Sequence, residues 1–188
     1  GHAHPALVKA ISEQAAKLMH CSNIYYTDIQ AKAVKEIIET TGFDRVFLAN
    51  SGAEANEGAI KLARKYGHQK NEGKYRIITA VHSFHGRTMM TVTATGQPKY
   101  QQGYEPLPAG FDYVPYGDLE ALREAMDEDV CCVLLEPIQG EGGVHVPSDT
   151  YLHEARLLCD KYDALLVLMK FKQVSRVQEN GLRICIVV

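Results

Sequence analysis

The chain has 188 residues, 46% of them apolar, 23% charged and 8% aromatic, with a formal net charge of −3, a balance that suits one folded domain or a piece of a larger one and excludes a disordered chain. No apolar run approaches the roughly 20 residues that a membrane helix needs. Basic and acidic residues, 20 against 23, are mixed along the chain and leave no basic stripe for nucleic acid, so neither a membrane nor a nucleic acid is expected as partner.

The start, Gly1-His2-Ala3-His4, has neither an initiator Met nor a signal peptide and reads as cut. Residues 5–20 read as a helix: Pro5 suits its first turn, and Leu7, Ile11, Ala15 and Leu18 fall close to one face. Thr27 and Asp28 can cap a second helix over 29–40, with Ala33, Val34, Ile37 and Ile38 inward and Gly42 as its stop. The apolar run 45–49 reads as a strand. A third helix over 53–66 carries Ala55, Ala59, Ile60, Ala63 and Tyr66 as an apolar stripe. Residues 76–81 are a second strand, rich in β-branched side chains. Pro106, Pro108 and Gly110 mark a loop. Beyond it come a strand over 111–114, a helix over 118–126, a buried strand over 130–135, a helix over 148–162 and an apolar strand over 164–168. Strands alternating with helices of this length give an α/β fold with a mostly parallel sheet covered on both faces. The five cysteines, Cys21, Cys131, Cys132, Cys159 and Cys185, are odd in number and lack CxxC spacing, which fits a reducing, cytoplasmic setting.

Parallel sheets bind ligands beyond the carboxyl ends of their strands. That directs attention to 50–54, 82–88, 136–143 and whatever follows Leu168. In the first, Gly52 removes a side chain between a strand and a helix whose unpaired N–H groups suit a phosphate, although many such turns bind nothing. No Gly-Lys-Ser/Thr follows, so this is not a Walker loop. In the second, Phe84 can stack on a planar ring and Arg87 can grip a carboxylate with two parallel hydrogen bonds, or the pair can simply be a packed ring and a surface cation. His82 and His85 have no nearby group to complete a metal site. In the third, Glu136 and Glu141 accompany three glycines without GxGxxG spacing; the alternative is a loop with solvated acids.

Asn-Ser-Gly-Ala-Glu-Ala-Asn (50–56), Ser-Phe-His-Gly-Arg-Thr (83–88) and Glu-Pro-Ile-Gln-Gly-Glu-Gly-Gly (136–143) together resemble, in order, the signatures of the class III aminotransferases, pyridoxal-phosphate enzymes of fold type I. Residues 1–5 and 22–26 match as well, and 56–64 and 103–108 are most similar to the acetylornithine-type members. The resemblance covers 1 to about 168, roughly the middle of a family chain some twice as long. It implies that Ser51, Gly52 and Ala53 hold the cofactor phosphate, Phe84 stacks on its ring, and Glu136 supports the pocket from behind. Arg87 would bind the substrate α-carboxylate, and Glu141 resembles an acid that switches a second arginine between substrates. The implied reaction moves an amino group from N-acetylornithine, or a related ω-amino compound, to 2-oxoglutarate in arginine biosynthesis. The intact family member is expected to be a cytoplasmic homodimer. The alternatives are an ornithine- or aminobutyrate-type member, or a non-catalytic cofactor-binding remnant.

The resemblance stops after Leu168. The family continues Asp-Glu-Val-Gln-Thr-Gly, whose Asp pairs with the pyridine nitrogen, where this chain has Met169-Lys170-Phe171-Lys172-Gln173. No segment matches the one bearing the Schiff-base lysine, and Lys170 and Lys172 are misplaced for it. Encoded as ATG AAG TTC AAA CAG and given one preceding G, residues 169–173 read Asp-Glu-Val-Gln-Thr. Permitted codons for 174–180 continue as Gly-Val-Ala-Arg-Thr-Gly-Lys. The expectation is a single-nucleotide frameshift, giving an N-terminal helical segment over 1–40, an incomplete cofactor-binding large domain over 41–168 and a non-native tail over 169–188. The chain as it stands is expected to be inactive.

Overall fold

A computed structural model describes residues 2–22, 24–169 and 184–187. Four parallel strands form its main sheet in the order β3-β2-β4-β5: β2 is Arg76–Ala80, β3 Phe111–Val114, β4 Val130–Leu135 and β5 Leu165–Leu168. The strand β1, Arg45–Leu48, stands apart and pairs in parallel with β6, Ile184–Val187, Arg45 lying opposite Ile184. The α/β expectation with a parallel sheet is met. Strands β3 and β4 have the expected bounds, since both are short β-prone runs closed by turn residues at each end.

The helices are α1 (Pro5–Ala15), α2 (Asp28–Thr41), α3 (Gly52–Lys70), α4 (Met89–Ala94), α5 (Pro98–Gln101), α6 (Leu119–Ala125) and α7 (Tyr151–Lys161). Side chains of the sheet separate into two cores. Ile78, Ala80, Val133 and Leu135 pack with Leu122 and Met126 and with Tyr151, Ala155 and Cys159 of α7. Ile77, Cys132 and Leu134 pack on the other face with Ile60 and Ala63 of α3 and Ala94 of α4. Alternation along a strand sends neighbours to opposite faces. A register shift between β2 and β4 at Arg76/Ile77 interrupts it, and both Cys131 and Cys132 join the α3 side. Burial pushes the Cys131 thiol up to about 11 and Cys159 up to about 12, so these cysteines act as small apolar groups.

Several expectations need correction. The first helix ends at Ala15 rather than residue 20, and none of its residues is buried: Leu7 and Ile11 are exposed, as is Leu18 beyond its end. In α2, which lies against β1, Val34, Ile37 and Ile38 are half-buried but Ala33 is exposed. The helix expected over 148–162 begins only at Tyr151, because Ser148 accepts a turn hydrogen bond from Tyr151 N at 3.1 Å. Strand β5 is half-buried along its length because it is the sheet's edge. Helices α4 and α5 lie where no element was expected. A reciprocal cap between Thr88 and Thr91 starts α4, and threonine at the third helical position is a weaker sequence signal than the usual Glu or Gln. Of the expected tail, Lys170, Phe171, Lys172, Arg176 and Arg183 lie outside the described residues. Met169 is described: its amide donates to Leu135 O at 2.8 Å, and its side chain packs against the α3-side core.

Candidate functional site

The loops expected to matter meet beyond the carboxyl ends of β1, β2, β4 and β5. Ser51 caps α3, its Oγ accepting from Glu54 N at 3.2 Å, while Glu54 Oε2 accepts from Asn50 N at 2.8 Å. Gly52 N and Ala53 N donate to nothing among the described residues. A helix's first amides have no intrahelical acceptor, and the dipole there favours an anion. A Cβ at Gly52 would meet no atom within 4 Å. Packing within the chain therefore does not demand glycine here, whereas close approach of a ligand to the backbone would.

The loop after β2 rides on this helix. Gly86 has φ +130°, and a Cβ on it would lie 2.8 Å from Ala53 Cβ and 2.7 Å from Thr91 Oγ1, so glycine answers both the backbone conformation and the clearance. Buried Asn56 donates Nδ2 to His85 O at 2.8 Å, and Thr88 Oγ1 donates to Glu57 Oε1 at 2.5 Å. His85 N donates to Thr95 Oγ1 at 2.9 Å. The 50–56 and 82–88 segments are thus one structural unit.

The loop after β4 backs it. Glu136 is buried and accepts from Phe84 N at 3.2 Å. Burial, opposed by that amide and helped by the charge of Glu141, pushes the Glu136 carboxyl up to about 7. Buried Gln139 donates Nε2 to Val81 O at 2.9 Å, and a Cβ on Gly142 would strike the His82 carbonyl. Glu141 is exposed and makes no hydrogen bond or ion pair among the described residues.

Phe84 is half-buried, its ring edge-on to Tyr100 of α5 at 5.7 Å between centroids. Arg87 is exposed, with its guanidinium carbon 4.5 Å from the Tyr100 centroid and 5.6 Å from that of Phe84. At the end of β5, Met169 Sδ faces Asn56 Nδ2 at 3.0 Å and His85 Nδ1 at 3.3 Å. His85 is fully buried, its Nε2 has no partner among the described residues, and burial lowers the ring to about 3, so it is neutral. Asn56 and Tyr100 are neighbours to which reading the sequence gave no role, and His85, weighed there only as a metal ligand, is instead a buried partner of Asn56 and Met169. Asn56 sits inside a quoted motif, but its inward aim depends on the helix phase; Tyr100 carried no signal at all.

A cavity of about 630 Å³ lies to one side, lined by His82, Tyr116, Gln139 and His145 among others, but not by Gly52, Phe84 or Arg87. The His82 and His145 rings stack at 6.1 Å. Among the described residues no three His, Cys, Asp or Glu side chains converge on a point where they could hold a metal ion.

The Aminotransferase class-III family profile matches residues 1–169. An acetylornithine aminotransferase of Caldanaerobacter subterraneus subsp. tengcongensis is 56% identical over 169 residues, which cover 89% of this chain and 43% of that protein. A succinylornithine transaminase/acetylornithine aminotransferase of Pseudomonas aeruginosa is 53% identical over 168 residues, 89% of this chain and 41% of its own length. Among solved structures, the ornithine aminotransferase of Toxoplasma gondii superposes with a TM-score of 0.85 at 35% identity, covering 89% of this chain and 41% of that one. The N-acetylornithine aminotransferase of Stenotrophomonas maltophilia gives 0.74 at 42% identity, with coverages of 89% and 41%. The chain spans about two fifths of the length of these relatives.

Proposed function

Because this chain belongs to the class III aminotransferases, we propose that its strand ends form the phosphate-and-ring side of a pyridoxal 5'-phosphate site in an enzyme that moves an amino group from N-acetylornithine to 2-oxoglutarate. The observation that carries the reading is the Gly86–Ala53 contact. It brings the free amides of Gly52 and Ala53 and the rings and cation of 84–87 into one unit. When bound, the cofactor supplies an electron sink for the amino carbon.

The chain's own residues bind and orient. Gly52 N, Ala53 N and the Ser51 hydroxyl, whose proton is free because its oxygen is the acceptor toward Glu54, offer three donors to a phosphate. Phe84 offers a ring face, its backbone held by Glu136. Arg87 offers paired N–H donors to a carboxylate. The exposed Glu141 is proposed as the acid that modulates substrate choice. Met169 presents a thioether where the family resemblance expects a carboxylate, and a thioether is only a weak acceptor. This site therefore fits the phosphate and ring face but has no anion at 169 to pair with the ring nitrogen.

The identities with acetylornithine enzymes support the donor, an ornithine-type donor being the second reading favoured by the higher superposition score. The full-length protein is read as a homodimer, supported by the exposed apolar residues of α1, and as cytoplasmic, from its cysteine usage. The family match ending at residue 169 supports the shifted-frame reading of 169–188. The coding DNA tests that reading; a frame lacking Asp-Glu-Val-Gln after one restored base would end it. The 188-residue chain is expected to transfer no amino group from N-acetylornithine to 2-oxoglutarate, and measurable transfer would overturn this.

Cofactor holding is tested with pyridoxamine 5'-phosphate, which lacks the aldehyde that reacts with any lysine. Saturable binding that is lost with unphosphorylated pyridoxamine and weakened by Gly52→Val supports the site. Equal binding of the two compounds would refute the phosphate cup.

A further inference from the structure

Arg87 has no carboxylate partner among the described residues; what holds it is aromatic. Its guanidinium carbon lies 4.5 Å from the centroid of Tyr100 and 5.6 Å from that of Phe84, and those two rings meet edge to face at 5.7 Å. A guanidinium over a ring is attracted through its face, which leaves the N–H donors at its edge free. Lys99 Nζ lies 4.8 Å from the same Tyr100 centroid, so one ring carries two cations. The Tyr100 hydroxyl makes no hydrogen bond among the described residues.

The ring is fixed with respect to the loop that carries Arg87. Tyr100 N donates to Gln97 O at 3.0 Å, and buried Gln97 donates Nε2 to Ser83 O at 2.9 Å and His82 O at 3.3 Å. On the far side of Tyr100, Gln101 Nε2 donates to Thr95 O at 2.8 Å and Thr93 O at 3.1 Å. Helix α5 is therefore bolted by Gln97 at its N-cap and Gln101 in its last turn to the loop and helix around Phe84 and Arg87. A long, otherwise unpaired side chain on an exposed loop loses rotamer freedom when it binds, and a ring that already orders it reduces that loss.

We infer that Tyr100 is a positioning residue for Arg87: its ring holds the guanidinium so that the paired donors face outward for a substrate carboxylate. This rests on the reading of Arg87 as the carboxylate-binding group. The ring, not the hydroxyl, does the positioning.

The test is calorimetric titration of the 188-residue chain and its variants with 2-oxoglutarate and, separately, with pyridoxamine 5'-phosphate. Tyr100→Leu is expected to weaken 2-oxoglutarate about tenfold while changing pyridoxamine 5'-phosphate by less than about threefold. Tyr100→Phe is expected to match the parent for both. Unchanged 2-oxoglutarate affinity in Tyr100→Leu, or a loss in Tyr100→Phe equal to that in Tyr100→Leu, would overturn the inference. Should Tyr100→Leu fail to fold, side-chain NMR of the parent and Tyr100→Phe decides. Arg87 δ-protons shifted by ring current in both proteins support the stacking, and their absence of shift refutes it. Arg87→Ala separates the two readings. If it binds 2-oxoglutarate like the parent, the carboxylate role of Arg87 falls and the inference with it. If it loses binding while Tyr100→Leu does not, only the positioning role falls.

Discussion

Helices α1 and α3 carry apolar residues in similar helical spacing and meet opposite fates. In α3, Ala59, Ile60 and Ala63 are at most 5% exposed, while in α1 Leu7 and Ile11 remain 55% and 60% exposed. The difference lies in the partner. Helix α3 connects β1 to β2 and lies across Ile77, Cys132 and Leu134 of the sheet, whereas α1 precedes every strand and contributes to neither core. An amphipathic period thus states that a helix has an apolar face, and only the tertiary arrangement supplies the surface that covers it. The site follows the same division, since every loop that contributes to it is anchored on the α3 side or at the end of a buried strand.

The largest expected effect tests that contrast directly. Ile78→Ala leaves a void in a fully buried position and should destabilise by about 2–5 kcal/mol. Ile11→Ala on the exposed face of α1 should change stability by about 0.5 kcal/mol or less. Urea melts of both variants measure this, and similar losses would mean that α1 is covered in solution.

A smaller effect sharpens it within the site, by opposing two glycines. Gly86→Ala pushes a methyl group against Ala53 and Thr91 and should cost about 1–3 kcal/mol. Gly52→Ala meets open space and should alter stability by about 0.5 kcal/mol or less. Thermal melts that rank these two variants the other way would show that the 82–88 loop does not rest on α3 as described.

The smallest net effect is pH dependence, because two buried groups oppose one another. His85 is lowered from 6.5 to about 3 by burial. The unfolded chain therefore binds the extra proton, and stability rises with pH until about 6.5, where this contribution is complete. Glu136 is raised from 4.5 to about 7. There the folded chain binds the extra proton, so stability falls as pH rises from about 4.5 to about 7. Between about 4.5 and 6.5 the slopes offset each other. Glu136→Gln should remove the falling contribution and leave a steeper rise toward neutral pH, measured as denaturation midpoints from pH 4 to about 8. An unchanged profile would place Glu136 in water rather than behind Phe84.

Much of this was legible in order along the chain. Strands β2, β3 and β4 are marked by β-branched or continuous apolar runs ended by turn residues, and the expected cap at Thr27 is made by its side chain accepting from Gln30 N, whereas the caps made by Ser51 and Asp118 emerge only in the structure. The places to inspect were also legible, since parallel strands direct their ligands to one edge. Helices α4 and α5 escaped notice because they span six and four residues, too short to display a period. The partners within the site escaped for a different reason: Asn56 reaches His85, Glu136 reaches Phe84 across 52 positions, and Tyr100 reaches Arg87, contacts that no local pattern encodes.

Composition, period and motif order by themselves determined the α/β class, the strand sequence and which four loops carry unusual residues, because each depends on neighbours within a turn or two of the chain. The tertiary structure alone decided which apolar faces are covered, that Gly86 must be glycine because Ala53 lies against it, that Glu136 is held near neutrality by burial, and that Met169 meets Asn56 and His85. Those facts arise from groups far apart in sequence, whose separation sheet order and close packing set, and only in the folded chain do they share one desolvated environment.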